Sequence, residues 1–150
     1  MRLLITRIEE EARRLAWLLD SKGHDSTLAP MLAIRFRPGA AVDLDGAQAL
    51  LLTSGNGVAG ISAATERRDI PVYAVGDSTA RRAREAGFAP VVSADGDVTA
   101  LTDLVLRELS PEGGRLVHAG GATLAGDLAG NLRQAGFTVE RVTLYDAVPV

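Results

Sequence analysis

Three times in this chain an amphipathic run ends on a small or polar residue and a glycine, then passes into a β-branched run. The junctions are Ser21-Lys22-Gly23-His24, Glu85-Ala86-Gly87-Phe88 and Gln134-Ala135-Gly136-Phe137. A helix C-terminus favours a left-handed residue, and glycine adopts that conformation without a Cβ clash. Helix followed at once by strand, and repeated, restricts the chain to αβ units.

The intervals between these glycines agree. Ala12, Leu15, Ala16 and Leu19 follow an i, i+3, i+4, i+7 stripe, and Glu9, Glu10 and Glu11 stand in the first turn, where the helix dipole favours negative charge. Val98, Leu101, Leu104 and Val105 share one face of a second helix, with Asp97 as its N-cap. Leu124, Leu128, Leu132 and Ala135 align a last helix that contains Gly126 and Gly130, each costing roughly 1 kcal/mol relative to alanine. Between the helices lie short apolar runs: Arg2 to Thr6, Ser26 to Met31, Ala49 to Thr53, Val72 to Val75, Val91 to Val92, Leu116 to His118 and Val139 to Tyr145. Such runs predict parallel strands covered on both faces, a three-layer, doubly wound (flavodoxin-like) α/β sheet. Between Leu32 and Asp45 there is no helical period, and a domain boundary is placed there. The single β-α-β unit before it is too small to bury its own faces.

Composition removes whole classes of chemistry. With no cysteine and only His24 and His118, disulfides, thiolate nucleophiles and zinc-thiolate sites are excluded, and a histidine metal site is not expected. A net charge of −3, with arginines spread along helices, argues against a nucleic-acid partner. No apolar run approaches the ~20 residues that span a bilayer, so no membrane association is expected and the cytoplasm is the default compartment.

Four places carry functional groups. Ala49 to Val58 runs from a buried strand through Thr53-Ser54-Gly55-Asn56-Gly57 into a helix, where N-terminal amides converge on an anion; the same glycines also suit an ordinary βα turn. Tyr73 to Ala80 repeats that logic through Gly76-Asp77-Ser78-Thr79, with Asp77 or Ser78 expected as N-cap and Thr79 not explained by capping. Arg81, Arg82 and Arg84 then read as a solvated helix face. Tyr145, at a strand end, is either a half-buried rim residue or a phenolic proton donor. His118, before Gly120 and Gly121 after a strand, is either a general base or incidental, and the absence of a positioned partner in the sequence favours the incidental reading.

Taken in order, Thr6-Arg7, Thr53 to Val58, Val75 to Ala80 and Gly136-Phe137 through Val139 to Tyr145 resemble uroporphyrinogen-III synthase over the whole chain. Ile8 stands where that family commonly has proline, and Gly120 where an arginine is frequent. The resemblance implies two α/β domains: residues 1–35 open the first, 36–39 link, 40–144 form an inserted second domain, and 145–150 return. It implies that the rest of the first domain is missing after Val150, so that the truncated chain alone is expected to be inactive and a domain-swapped dimer is one way to complete it. The implied reaction closes hydroxymethylbilane, with inversion of the last pyrrole ring, to uroporphyrinogen III in haem biosynthesis, without a cofactor. Tyr145 matches the tyrosine thought to assist loss of hydroxide. Ser54 and Thr79 match cleft hydroxyls, Asn56, Gly57 and Ser78 would offer helix-terminal amides to substrate carboxylates, and Thr6 and Arg7 would also contact substrate. A stand-alone α/β module that holds a small anion without catalysis is the alternative.

Overall fold

The computed structural model describes residues 2–5, 14, 17–18, 21–23, 25–28, 32–40, 42–122 and 126–149. They divide into two compact units, one of residues 1–35 and 146–150, the other of residues 36–145.

In the first unit, β1 (Arg2–Ile5) pairs in parallel with β2 (Asp25–Leu28), with Arg2 opposite Asp25 and Ile5 opposite Leu28. Arg14, Trp17, Leu18 and Ser21 are helical, and Gly23 follows at φ 82°, the left-handed conformation expected of it. Leu18 is 44% exposed, and Trp17 beside it is 73% exposed. The stripe positions Ala12, Leu15, Ala16 and Leu19 lie outside the described residues.

The larger sheet contains β3 (Leu32–Phe36), β4 (Ala47–Leu52), β5 (Val72–Ala74), β6 (Val91–Ser93), β7 (Arg115–Gly121) and β8 (Val139–Pro149), in the order β3-β8-β7-β4-β5-β6. The pairings from β8 through β7, β4 and β5 to β6 are parallel. The helices are α1 (Gly55–Ala64), α2 (Asp77–Glu85), α3 (Val98–Glu108) and α4 (Leu128–Gln134). Strand alternation sorts the core. Leu50 and Leu52 pack with Val58, Ile61 and Ala83 of α1 and α2, whereas Ala49 and Leu51 pack with Leu101, Leu104, Leu128 and Leu132 of α3 and α4. The result is the three-layer α/β arrangement the apolar runs predict. Among the described residues no helix is long and apolar enough to cross a membrane.

Gly87 and Gly136 have φ 100° and 98°, so both later αβ junctions turn as the sequence indicates. Asp97 caps α3, accepting from the Ala100 N–H at 2.9 Å. The last helix differs from expectation: it begins at Leu128, because Gly126 turns the chain at φ 79° and the Asp127 carboxylate caps the Gly130 N–H at 3.1 Å. Gly126 is therefore outside the helix, and Leu124 lies outside the described residues. Gly130 leaves room for the cap, since a Cβ there would lie 2.6 Å from Asp127 Cγ. β8 also continues past Tyr145 to Pro149.

Arg68 secures the helix ends on the α1–α2 side. Its guanidinium donates to the carbonyls of Ser62, Thr65 and Arg67, and through Nε to Ala86, while the Phe88 ring centroid lies 4.8 Å away. One planar fork thus satisfies carbonyls left open at the ends of both α1 and α2.

Candidate active site

From β4 the chain builds outward to β5 and β6, then returns to the other side of β4 as β7 and β8. Helices diverge at such a reversal and leave a crevice beyond the carboxyl ends of the two adjacent strands, here β4 and β7. The hydroxyl-bearing turn Thr53-Ser54 and the end of β7 meet at this point.

Ser54 is extended, with φ −153° and ψ 157°, and caps α1 by accepting from the Gly57 N–H at 3.0 Å. Gly57 meets a steric demand, because a Cβ there would lie 3.0 Å from the Ala119 carbonyl oxygen on β7. Ser54 Oγ is also 2.8 Å from the Tyr145 hydroxyl. A hydroxyl has one hydrogen and two acceptor sites, so Ser54 is able to hold the Gly57 amide while donating to the phenol oxygen.

Tyr145 is aimed by a β-bulge. Gly120 pairs with Thr143 but Gly121 pairs with Tyr145, which makes Leu144 the extra residue and re-aims the tyrosine. Its ring rests on Gly121, where a Cβ would lie 2.6 Å from Cε2, and meets Phe36 edge-on at 6.1 Å between centroids. Arg141 fixes the floor, donating from Nη2 to the Gly121 carbonyl at 2.7 Å.

His118 is 1% exposed, in the middle of β7. Its Nε2 lies 3.1 Å from Thr53 Oγ1, and its Nδ1 has no partner among the described residues. Burial, reinforced by the positive charge of Arg141, pushes its pKa down to about 4, so the ring is neutral at physiological pH.

Asn56 is half-buried in the first turn of α1. Ser78 is exposed and Thr79 is buried, both in the first turn of α2 beyond the adjacent strand β5. Neither Asp77 nor Ser78 caps α2. The N-cap is Gly76, without a side-chain hydrogen bond, which puts Asp77 inside the helix, where its carboxylate accepts from Ser93 Oγ at 2.7 Å. Arg82 is not wholly a solvated-face residue: it lies against Gly55, where a Cβ would approach its Cδ to 2.9 Å. Thr6 and Arg7 lie outside the described residues.

Of the expected site residues, Ser54, Gly57 and Tyr145 therefore form one hydrogen-bonded cluster with Asn56 alongside, while Ser78 and Thr79 sit on the neighbouring turn. Thr53, Arg141 and the role of His118 were not assigned from sequence. The available signal was a titratable residue inside the apolar run Leu116 to Ala119. Among the described residues no group of three or more histidine, aspartate and glutamate side chains is placed to hold a metal. A separate cavity of about 440 Å³ is lined by Phe36, Pro38, Gly60, Ala63 and Leu144 among others, and takes in none of these hydroxyls.

The family described as uroporphyrinogen-III synthase HemD matches residues 13–150. No curated protein sequence matches significantly. Among solved structures, a mutant uroporphyrinogen III synthase from the extremely thermophilic bacterium Thermus thermophilus aligns with TM-score 0.68 at 20% identity, over 100% of this chain and 64% of its own. Another structure of the Thermus thermophilus enzyme aligns with TM-score 0.54 at 24% identity, also over 100% and 64%. The uroporphyrinogen-III synthetase of Helicobacter pylori aligns with TM-score 0.63 at 14% identity, over 99% and 62%. At these identities the structures speak for the fold, and this chain spans somewhat under two-thirds of their length. With the family match covering nearly the whole sequence, the chain belongs to the uroporphyrinogen-III synthase family.

Proposed function

We propose that this chain serves the reaction for which its family is named, closing hydroxymethylbilane to uroporphyrinogen III with inversion of the last ring. The carrying observation is the Ser54–Tyr145 pair at the switch point of the sheet, 2.8 Å apart and anchored to the N-terminus of α1. Tyr145 is the proposed general acid. Its O–H protonates the departing hydroxide of the bilane, and the phenolate left behind accepts the Ser54 O–H, whose other contact is the Gly57 amide. Water leaves, a resonance-stabilised cation remains on the terminal pyrrole, and ring closure follows. The hydroxyl pair would have little else to do chemically, because the remaining task is to hold one conformation of a flexible chain.

Asn56, Gly57, Ser78 and Thr79 are the proposed contacts to the substrate carboxylates, supported by their places in the first turns of α1 and α2. Thr6 and Arg7 enter the proposal on sequence resemblance alone. Residues 40–144 are proposed as the inserted domain and residues 1–35 as the opening of the other. No cofactor is required by this chemistry, and the proposed compartment is the cytoplasm. A domain-swapped dimer is proposed to cover the surface around Trp17 and Leu18; light scattering tests it, and a monomer at high concentration removes it.

The experiment is a single turnover of hydroxymethylbilane with the chain in excess, read as the ratio of uroporphyrinogen III to the uninverted isomer. An excess of the inverted isomer over the spontaneous background is expected. The background ratio, together with no measurable binding of the bilane, would remove the proposal.

A further inference from the structure

We infer that His118 is a positioning residue that commits the Thr53 hydroxyl to donate its hydrogen toward the crevice at the carboxyl end of β4. The two ring nitrogens have unequal surroundings. Nε2 is 3.1 Å from Thr53 Oγ1, while Nδ1 is buried with no partner among the described residues. On β8 the residue in register with His118 is Arg141, and its charge acts on the ring.

A hydrogen on Nδ1 would be a buried donor without an acceptor, in the field of a cation. A lone pair there is the favourable alternative. The hydrogen therefore belongs on Nε2, and among the described residues the oxygen in place to receive it is Thr53 Oγ1. The tautomer of a histidine is set by what its two nitrogens meet, and here both point to the same form.

The consequence falls on Thr53. Once one acceptor site of its oxygen is taken by His118, its own hydrogen must turn away from the imidazole. Thr53 directly follows β4 and directly precedes the Ser54 cap, so that hydrogen emerges beside the first turn of α1. A donor held there suits an anionic oxygen. Identification of that oxygen as a substrate carboxylate rests on the proposed function; the tautomer and the direction of donation do not.

The test has two arms. In the full chain at neutral pH, two-bond proton–nitrogen correlation spectra of the imidazole should show the Nε2–H form; the Nδ1–H form or an imidazolium overturns the inference. In the second arm, His118→Leu and Thr53→Val should each weaken bilane binding about tenfold, the worth of one hydrogen bond to a charged group. The double variant should be no weaker than either single one, and His118→Gln, which restores a donor, should recover binding. The single-turnover rate at saturation should change far less than binding. Independent, multiplying losses in the double variant would overturn the positioning role, as a merely structural histidine would give them. If no variant and no parent chain binds the bilane, the spectra still decide the tautomer, and it is the proposed function that fails.

Discussion

The Tyr145 hydroxyl sits 2.8 Å from Ser54 Oγ although 91 residues separate them in sequence. Each is fixed by an independent device, the serine by its capping bond to Gly57 and the tyrosine by the bulge opposite Gly121. Ser54→Ala should therefore do two things at once. It should cost about 1 kcal/mol of stability as a lost N-cap, read from the urea midpoint, and it should slow ring closure by removing the donor to the phenolate. A stability loss with an unchanged single-turnover rate would confine Ser54 to capping.

Gly121→Ala tests how the tyrosine is aimed. The new Cβ would lie 2.6 Å from Tyr145 Cε2 and 2.8 Å from Cζ, so the ring must move off Ser54. Overpacking of this kind typically costs about 1–3 kcal/mol, and the rate should fall as it does when the phenol is deleted. Retained rate in the alanine variant would show that the ring position over Gly121 is not the active one.

His118 makes stability depend on pH. Its folded pKa of about 4 lies below the ordinary 6.5, so the unfolded chain binds the proton first and stability falls as pH drops between those values. Between pH 6.5 and 5 the loss should be about 1.5 kcal/mol, accompanied by net proton uptake on unfolding. His118→Gln should remove that slope. An unchanged slope in the glutamine variant would assign the dependence to other groups.

Arg68→Lys keeps the charge but not the planar fork that spans the carbonyls of Ser62, Thr65 and Ala86. A loss of about 2 kcal/mol is expected in denaturant unfolding, with the m-value unchanged. A lysine variant as stable as the parent would show that these carbonyls are equally well satisfied by water.

The layers of the sheet unit were legible because they rest on local rules. Gly87 and Gly136 occupy left-handed turns, Asp97 caps α3, and the alternation of Ala49, Leu50, Leu51 and Leu52 feeds two cores. Features that depend on strand order were not. Thr53 meets His118 only because β4 lies next to β7, and no local pattern announces that neighbour. The bulge at Leu144 is likewise a matter of pairing register, which a single strand does not encode. The start of α4 departs from the apolar period for a different reason: Gly126 turns the chain at positive φ and Asp127 caps the helix that follows.

In the proposed function Tyr145 gives the proton that releases hydroxide from the bilane. Tyr145→Phe removes one hydroxyl and leaves the proposed carboxylate contacts of α1 and α2 in place, so binding should change little. The decisive measurement is the single-turnover rate and isomer ratio of this variant beside the parent chain, with bilane affinity measured on the same preparations. A fall of roughly 10² to 10⁴ in formation of the inverted isomer, at nearly unchanged affinity, is expected. An unchanged rate and isomer ratio in the phenylalanine variant would contradict it and return Tyr145 to a packing role at the end of its strand.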